Sequence, residues 1–485
     1  MLFNSFNFFV IFPFIFAIYW VIPSNWHSFR KWWLILVSYL LYMNWNPVFA
    51  LVLLFITIVT YAGGLLFGRH LEESKGKRKR WLCYLLAAMA LLPLLIFKYY
   101  NFISEAGIQL LEMSGLHFPL PGLNWAVPIG ISFYTFQALG YMLDVYYDKI
   151  QSEQNFTDYV LFCSFFPQTS SGPISKASEL LPQIKKLNPF SYEQAREGLQ
   201  FLLWGIFLKV VMADRLGIYV DTVYNNFIHY DGITCFVASI FYTFQIYGDF
   251  AGYSLMAVGI GKCLGFDLVN NFNRPYFATS ITEFWRRWHI SLTRWLTAYV
   301  YIPLGGSRCS KLRQYWNIMV TFLVSGLWHG ANWTFVVWGV LHGLFQIVEK
   351  MLGLDPKGKY GNTSTWMKPF RIAVTFLLVN IAWIFFRSVT INDACCFISK
   401  ILTMEDGVHE KIQYVPVLII VGILLIGCEC VEEYFSGKLS VFNNKHCIVR
   451  WGGVFIRYFI DSFVWGTRLH TIHLCEFLKY EDIHN

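Results

Sequence analysis

The sequence predicts an all-α polytopic membrane protein, and three observations carry that prediction. Of its 485 residues, 56% are hydrophobic, 19% are aromatic and only 14% are charged, which leaves too little polar surface for a soluble globule. Long apolar runs recur along the whole chain, and tryptophans gather at their ends as they do at membrane interfaces. No separate soluble domain stands out, so we expect a single membrane domain over residues 1–485. Allowing for interrupted runs, we expect about ten to twelve transmembrane helices plus re-entrant segments.

The apolar runs define the predicted spans. Residues 5–23 lack the basic start and small-residue cleavage site of a signal peptide, so we expect them to be retained as the first helix. The predicted spans in chain order are Asn7–Ile22, Trp32–Trp45, Pro47–Phe67, Trp81–Tyr99, Ile129–Tyr147, Leu199–Met212, Thr234–Tyr247, Phe370–Phe386, Tyr414–Cys430 and Val449–Trp465. The stretch Asn101–Trp125 is less apolar, and we interpret it as interfacial.

Three stretches are too polar or too interrupted for ordinary spans. Phe162–Pro173 is short and rich in proline and small polar residues, which is typical of a re-entrant or cavity-lining turn. Lys176–Glu197 is polar and predicts an exposed helix parallel to the membrane. Ser280–Pro303 predicts an amphipathic helix that begins with the capping-box spacing of Ser280 and Glu283. Its predicted aromatic face comprises Trp285, Trp288, Leu292, Trp295 and Tyr299, and a second face carries Arg287, Ser291 and Arg294. Arg287 and Arg294 are candidates for a supporting role at a functional site.

Basic residues predict the topology better than the net charge of +8 does. The stretch Arg69–Arg80 contains six of them, so we expect this loop to face the cytoplasm. A second basic set, Arg308, Lys311 and Arg313, could lie at the same membrane face and meet an anionic donor or lipid headgroups. For each set taken alone, a plain positive-inside bias is the favoured explanation.

Eleven cysteines are scattered without a CxxC pair or a His/Cys cluster at zinc spacing. Cys395 and Cys396 are adjacent, and Cys428 and Cys430 form a near pair. We interpret all of them as reduced, packed thiols and expect no metal site.

The stretch Ser325–Thr334, SGLWHGANWT, is the most informative part of the chain. It lies within Tyr315–Phe345, which is almost uncharged and longer than the ~20 residues that one crossing needs. We expect Ser325-Gly326 and Gly330-Ala331-Asn332 to interrupt the helix, with His329 buried at bilayer depth. An ionisable group in that position is a functional hypothesis by default, so we interpret His329 as the base of a buried reaction chamber.

Asp249 is a second ionisable residue in an apolar run, within the glycine-flanked GDFAGYS segment. It could pair structurally with Arg215 or Arg274, or it could orient a catalytic histidine. The sequence leaves both roles open, and we expect the structural one.

Two long segments then identify a resemblance. The sequences NFNRPYFATSITEFWRRWHISLTRWLTAYVYIPLGG and SGLWHGANWTFVVWGVLHGL resemble the membrane-bound O-acyltransferase (MBOAT) family, and the branch of the alginate O-acetylation membrane protein in particular. Further matches are PIGISFYTFQALGYMLDVYY, the FFPQ turn, KVVMADRL, GDFAGYS and IAWIFFRS, so the resemblance covers nearly the full length.

The resemblance implies a fold, a reaction and partners. The fold would be helical around a central aqueous passage, with the catalytic core at about residues 125–350. An acyl group, usually acetyl, would move from a cytoplasmic thioester, acetyl-CoA or an acyl carrier, toward a hydroxyl on the far side of a bacterial plasma membrane. The family's histidine maps onto His329 and its upstream Asn/His position onto His289. An extracytoplasmic acyltransferase would be the protein partner, beside membrane lipids; we expect no tightly bound cofactor and no nucleic acid.

The chemistry of ester formation agrees with a histidine base. An alcohol is a weak nucleophile at neutral pH, and a neutral imidazole can take its proton. Apolar surroundings such as Trp328 favour that neutral form of His329. His289 could hold the donor carbonyl or relay a proton. Acyl transfer also needs a group that stabilises the oxyanion, for which Asn332 and Trp328 are candidates between which the sequence does not choose.

Other functions remain open on sequence grounds. Both histidines could be hydrogen-bonded core residues, and His342 is expected to be one. The acyl acceptor could be teichoic acid or a lipid-linked sugar, with D-alanyl as the transferred group. A transporter or flippase would also use broken helices, but it predicts an internal repeat, and the SGLWHGANWT stretch has no counterpart in the first half of the chain. A haem protein would use the two histidines as axial ligands.

Overall fold

The computed structural model describes residues 3–69, 77–114, 121–186, 188–358, 361 and 364–412, together with 422, 426, 427, 429, 430 and 433. These residues are mostly helical, and an isolated bridge joins Tyr230 and Val408. The helices are α1 Phe6–Val21, α2 His27–Met43, α3 Pro47–Arg69, α4 Lys77–Leu94, α5 Tyr100–Met113, α6 Ile131–Tyr146, α7 Phe156–Ser164, α8 Phe166–Thr169, α9 Ala177–Lys185, α10 Tyr192–Ile206, α11 Asp214–Asn225, α12 Gly232–Cys263, α13 Ile281–Arg287, α14 Ile290–Leu296, α15 Lys311–His329, α16 Trp333–Met351, α17 Lys368–Arg387 and α18 Ile391–Thr403.

Shorter turns of other helical types join several of these elements. Turns of π-helix follow α4, α10 and α14, at Leu95–Tyr99, Phe207–Ala213 and Thr297–Tyr301. Turns of 3-10 helix lie at Phe227–His229, Pro275–Phe277 and Thr365–Met367. Turns of π-helix are rare and often mark functional positions, and the first two carry Lys98 and Lys209.

The described residues belong to two compact units. The first unit is drawn from Met1–Leu199, Ala257–Asn270 and Ile290–Gly343. The second is drawn from Gln200–Met256, Asn271–His289 and Leu344–Asn485. His329 therefore belongs to the first unit and His289 to the second.

Within the described residues, three helical stretches are long and apolar enough to cross a membrane. Pro47–Gly68 and Lys368–Arg387 coincide with predicted spans, whereas Arg80–Met113 is longer than predicted. Residues 101–113 were expected to be interfacial; they continue the helix, and their depth in a membrane stays a prediction. Polar residues there lower the hydropathy without breaking helical hydrogen bonding. The total of ten to twelve crossings stays a prediction, and the two predicted spans nearest the carboxyl terminus lie almost wholly outside the described residues.

In the first unit, the FFPQ region forms the predicted turn. Helix α7 ends at Ser164, and the four-residue α8 follows with all its residues buried. The Nε2 group of Gln137, on α6, donates to the carbonyl oxygen of Phe162 at 2.6 Å. The Nε2 group of Gln168 donates to the carbonyl oxygen of Pro173 at 3.1 Å. These bonds satisfy polar groups that would otherwise be costly in an apolar interior.

The stretch Lys176–Glu197 is not the single exposed helix that its polarity predicted. Helix α9 ends at Lys185 and α10 begins at Tyr192. Pro189 lies between them and disfavours helical backbone at the residue before it. Leu180 and Ile184 are buried, because α9 turns an apolar face to the core and only its other face is polar.

In the second unit, most of α12 packs against α10 and α17. The amide of Asn380 on α17 donates to the carbonyl oxygen of Ser239 and to Oγ1 of Thr243, both at 2.8 Å. Gly205 and Gly252 face each other where α10 meets α12, and a Cβ at Gly205 would lie 2.6 Å from the carbonyl oxygen of Gly252. Small residues of this kind allow close backbone approach between membrane helices.

Candidate active site

The SGLWHGANWT stretch forms the junction between two helices. Helix α15 ends at His329, and α16 begins at Trp333 after an extended Gly330. The predicted interruption at residues 330–332 is confirmed. The predicted interruption at Ser325-Gly326 is wrong, because both residues stay helical. Gly326 instead provides space for α16: a Cβ there would lie 3.1 Å from the carbonyl carbon of Phe335 and 3.5 Å from the Cα of Gly339.

His329 lies between two indole rings. Its ring centroid is 4.9 Å from that of Trp328 and 5.0 Å from that of Trp338, and both contacts are nearly perpendicular. The expectation that His329 is buried is wrong, since its exposure is intermediate. As the last residue of α15 it lies at the end of the helix, and the chain turns away after it. The residue is therefore partly exposed beside an apolar wall, while its Nε2 atom is buried.

The two candidate oxyanion groups both have structural roles in the first unit. Trp328 is buried and packs against Phe133 and Phe136, with ring centroids at 5.2 and 5.8 Å. The Oδ1 atom of Asn332 accepts a hydrogen bond of 3.0 Å from the backbone amide of Thr334 and so caps α16. Their proposed action on an oxyanion stays a prediction.

A small pocket beside α14 contains the other candidate of the first unit, Arg294. The guanidinium of Arg294 bonds to Glu179 at 2.7 Å and is partly exposed. Phe136 links this pocket to the neighbourhood of His329, because its ring stacks on Trp295 at 3.9 Å and also contacts Trp328. The polar side chains that line the pocket are Gln137, Tyr141, Ser175, Lys176, Ser291, Arg294 and Tyr299.

His289 lies in the second unit, in an unusual backbone conformation. Its φ of 44° is in the left-handed region, which disfavours a residue with a Cβ. It separates α13 from α14, so the single amphipathic helix predicted over Ser280–Pro303 is wrong, and its aromatic residues do not share one helical face. The imidazole is fully buried, with its ring centroid 4.6 Å from that of Phe250. Strained backbone of this kind is concentrated at functional positions.

Arg287 belongs to an ion cluster of the second unit. Its guanidinium bonds to Glu283 at 2.6 Å and to Glu433 at 3.0 Å, and Arg274 bonds to Glu433 at 2.9 Å. Burial raises the pKa of Glu283, but hydrogen bonds from Thr279 and the charge of Arg287 outweigh it and hold that pKa below its usual value. Arg287 thus holds two carboxylates, and its supporting role at the site stays a prediction.

The predicted helix start at Ser280 is confirmed, because the Ser280 hydroxyl accepts from the amide of Glu283 at 3.0 Å. The second half of the capping box differs from the prediction. The carboxylate of Glu283 accepts from the backbone amide of Thr279 at 2.8 Å instead of from the amide of Ser280.

Asp249 pairs with Lys209, which the sequence analysis did not single out. The Lys209 ammonium is 2.5 Å from a carboxylate oxygen of Asp249 and 2.7 Å from one of Asp214. The predicted partners Arg215 and Arg274 are therefore replaced by a lysine, which the π-helical turn Phe207–Ala213 carries. The near-complete burial of Lys209 explains the two carboxylates, since a buried cation requires compensation. The structural role expected of Asp249 agrees with this pair.

The remaining histidine and cysteine predictions have mixed outcomes. His342 is fully buried between Trp338 and Phe322, which confirms its packing role. Cys83, Cys163, Cys235 and Cys263 are buried free thiols, as expected. Cys395 and Cys396 are also free but exposed, so the expectation of packing is wrong for them. They lie on the outer face of the amphipathic helix α18.

Lys98 contacts the end of α15 and was not among the predicted site residues. Its ammonium donates to the carbonyl oxygens of Trp328 at 2.7 Å and His329 at 3.0 Å. Between Arg80 and Glu105 it is the only charged residue of the sequence. A lone charge in an apolar run is the signal that could have identified it.

Comparison with known proteins identifies the family of this chain. The model of the membrane-bound O-acyltransferase family matches residues 143–354, a range that contains both His289 and His329. The chain is 36% identical over 360 residues to the probable alginate O-acetylase AlgI of Pseudomonas aeruginosa. This alignment covers 74% of this chain and 67% of that protein. It is 35% identical over 393 residues to the peptidoglycan O-acetyltransferase of Helicobacter pylori, with 76% and 72% covered.

A more distant similarity is to the teichoic acid D-alanyltransferase of Streptococcus thermophilus, at 25% identity over 335 residues, 63% of this chain and 75% of that protein. The alignments with the two O-acetylases, at 35–36% identity, are long enough to cover the helices that carry the candidate site. The chain therefore belongs to the membrane-bound O-acyltransferase family and is an O-acyltransferase.

Proposed function

We propose that this protein moves an acetyl group from a cytoplasmic thioester across the plasma membrane of a bacterium for O-acetylation of an extracytoplasmic or cell-surface polysaccharide. The observation that carries the proposal is its greater similarity to proteins named for O-acetylation of alginate and peptidoglycan, at 34–36% identity, than to D-alanyltransferases, at 25–27%. Both acetylated polymers are carbohydrate-based and offer hydroxyl groups.

The reaction assigns His329 the role of general base. Its imidazole takes the proton of the acceptor hydroxyl, and the hydroxyl oxygen attacks the carbonyl carbon of the thioester. A C–O bond forms, the C–S bond breaks, and the departing sulfur takes the proton back from the imidazolium as a thiol. The indole rings of Trp328 and Trp338 orient the imidazole, and the partial exposure of His329 as a residue suits this role.

We propose that His289, a residue of the second unit, supports acyl transfer. Its complete burial favours the neutral imidazole, which can donate or accept one hydrogen bond. Its left-handed backbone affects the choice of test variant, because Asn tolerates that conformation better than Ala. The family's equivalent position is Asn or His, so His289→Asn is the conservative variant, and His289→Gly, which adopts a positive φ without strain, removes the side chain. We expect His289→Gly to reduce acyl transfer less than the loss of His329 does.

The acyl donor is proposed to be acetyl-CoA or an acyl carrier protein on the cytoplasmic side. The pocket beside α14 supports this, because Lys176 and Arg294 line it and both are cations that attract an anionic donor. Glu179 neutralises part of that charge. We therefore propose this pocket as the binding position of the donor.

A separate extracytoplasmic protein is proposed to complete the transfer to polymer. The polar stretches of the sequence are short loops of about twenty residues or fewer, which do not suffice for a carbohydrate-binding groove. A bulky polysaccharide would therefore receive the acetyl group from a partner acyltransferase. Direct transfer to a smaller acceptor is the alternative, and the similarity to teichoic acid D-alanyltransferases favours teichoic acid as that acceptor.

The test uses the purified protein in sealed vesicles with radiolabelled acetyl-CoA inside and the bacterium's own surface polysaccharide outside. We expect labelled polymer only after the soluble periplasmic fraction is added, and none with the His329→Ala protein. Labelling of polymer by the protein alone would refute the relay through a partner. Labelling that requires D-alanine on a carrier protein, with teichoic acid outside, would favour the second candidate.

A further inference from the structure

Lys98 is an unusual residue for its position in the chain. It lies within Arg80–Met113, one of the stretches long and apolar enough to cross a membrane. The 24 residues from Trp81 to Ser104 contain no other charged side chain. An ammonium group in such a segment is unfavourable unless fixed polar groups compensate it, so its retention requires a physical explanation.

The contacts of Lys98 and Tyr99 supply that explanation. The Lys98 ammonium bonds to the carbonyl oxygens of Trp328 and His329, and the Tyr99 hydroxyl donates to the carbonyl oxygen of Leu327 at 2.5 Å. Three successive carbonyl groups at the end of α15 thus have partners from two successive residues. The last carbonyls of a helix have no partner within the helix, and a cation near them is favoured by the helix dipole.

The backbone around Lys98 supports a specific role. Lys98 and Tyr99 close the π-helical turn Leu95–Tyr99, which interrupts an otherwise regular helix just after Pro93. Such turns are rare and are often found at functional sites. A regular helix with a lysine anywhere on its surface would not require one.

The carbonyl group that Lys98 holds belongs to the catalytic candidate itself. His329 is the last residue of α15, and the extended Gly330 follows it, so no further helical turn fixes its backbone. The ends of helices fray readily when their terminal groups lack partners. Lys98 thus bonds directly to the backbone of the one residue whose side chain must be placed accurately.

We propose that Lys98 is a positioning residue for the imidazole of His329, acting through the carboxyl end of α15. The inference rests on the proposed function of His329 as the base. Lys98 contacts neither donor nor acceptor in this account; it fixes the helix end from which the imidazole projects. A displacement of about 1 Å at a reacting group can reduce the rate about 100-fold.

The test compares four variants by the kcat and KM for acetyl-CoA and by the apparent unfolding midpoint. Lys98→Met removes the charge and keeps the length of the side chain, whereas Lys98→Arg keeps a donor cation. Tyr99→Phe removes the neighbouring hydrogen bond. Lys262→Met is the control, since Lys262 pairs at 3.1 Å with Glu197 and Asp267 on the surface of the same unit.

We expect Lys98→Met to lower kcat about 100-fold with KM within about twofold, and Lys98→Arg to restore most of the loss. Tyr99→Phe should lower kcat less, and it provides the test if Lys98→Met does not fold. Wild-type kcat in Lys98→Met, or in Tyr99→Phe where Lys98→Met does not fold, would overturn the inference. Equal losses in the Met and Arg variants would overturn it as well.

A parallel measurement on His329→Ala distinguishes failure of the positioning role of Lys98 from failure of the proposed role of His329 as the base. Loss of activity in His329→Ala together with normal activity in Lys98→Met would overturn this inference and leave the proposed function intact. Full activity in His329→Ala would overturn both the role of His329 and the positioning role of Lys98.

Discussion

Gly205→Ala tests how closely α10 and α12 must approach each other in the second unit. The added Cβ would lie 2.6 Å from the carbonyl oxygen of Gly252 and 2.9 Å from the backbone nitrogen of Met256. Ordinary contacts begin at 3.4 Å, so the oxygen must move away by 3.4 Å less 2.6 Å, or about 0.8 Å. Both neighbours are backbone atoms of a helix, which cannot rotate away as a flexible side chain would.

The expected loss of stability follows from that displacement. Overpacking in a well-packed interior typically destabilises by about 1–3 kcal/mol, and we expect Gly205→Ala in the upper part of that range. The measurement is the apparent thermal unfolding midpoint of the purified protein in detergent. Gly107→Ala is the control, because nothing lies within 4 Å of a Cβ at Gly107. In that helix, alanine is favoured over glycine by up to about 1 kcal/mol.

The result that would refute the reasoning is equally specific. If the midpoints of Gly205→Ala and Gly107→Ala were both unchanged or raised, the close contact of α10 with α12 would not limit the packing. A lower midpoint in both variants would show a general cost of alanine at helical glycines in this protein.

Three further predictions concern single residues. Gly326→Ala should reduce the rate of acyl transfer about 10- to 100-fold at nearly constant KM, because α15 must shift away from α16 and His329 shifts with it; an unchanged kcat would contradict this. Lys209→Met leaves two carboxylates without their buried cation and should destabilise by about 3 kcal/mol or more, whereas Lys262→Met, with exposed partners, should change stability by less than about 1 kcal/mol. The folded pKa of Glu283 lies below its usual 4.5, so ionised Glu283 stabilises above that value, and the contribution is lost as the pH falls through the folded pKa. Glu283→Gln should therefore flatten the fall of the unfolding midpoint below about pH 4.5, and parallel curves for the two proteins would exclude that contribution.

The sequence predicted the features that depend on apolar runs and on local chemistry. The helix break after His329 followed from the Gly330-Ala331-Asn332 stretch, and the start of α13 followed from the side chain of Ser280. The features it could not predict depend on contacts between distant residues. Gly326 has low helix propensity, yet it stays helical because α16 fills the space that a side chain would take.

The break at His289 shows the same limit in the backbone. Its left-handed φ ends an amphipathic pattern that is regular in sequence, and no glycine or proline marks the position. Lys209 and Lys98 were missed for a related reason. Each is a single charge in an apolar run, and its partners lie on another helix or beyond a π-helical turn.

The most direct test of the central claim is the rate at which acetyl ester appears on surface polysaccharide in a deletion strain complemented with His329→Ala. His342→Phe is the matched control, because His342 is a fully buried histidine of the same unit that packs between aromatic rings. Loss of a general base typically lowers a rate by about 100- to 10,000-fold, so we expect almost no ester with His329→Ala and a near-normal rate with His342→Phe. Equal amounts of both proteins must be present in the membrane. A rate with His329→Ala within about twofold of the wild-type rate would contradict the assignment of His329 as the base.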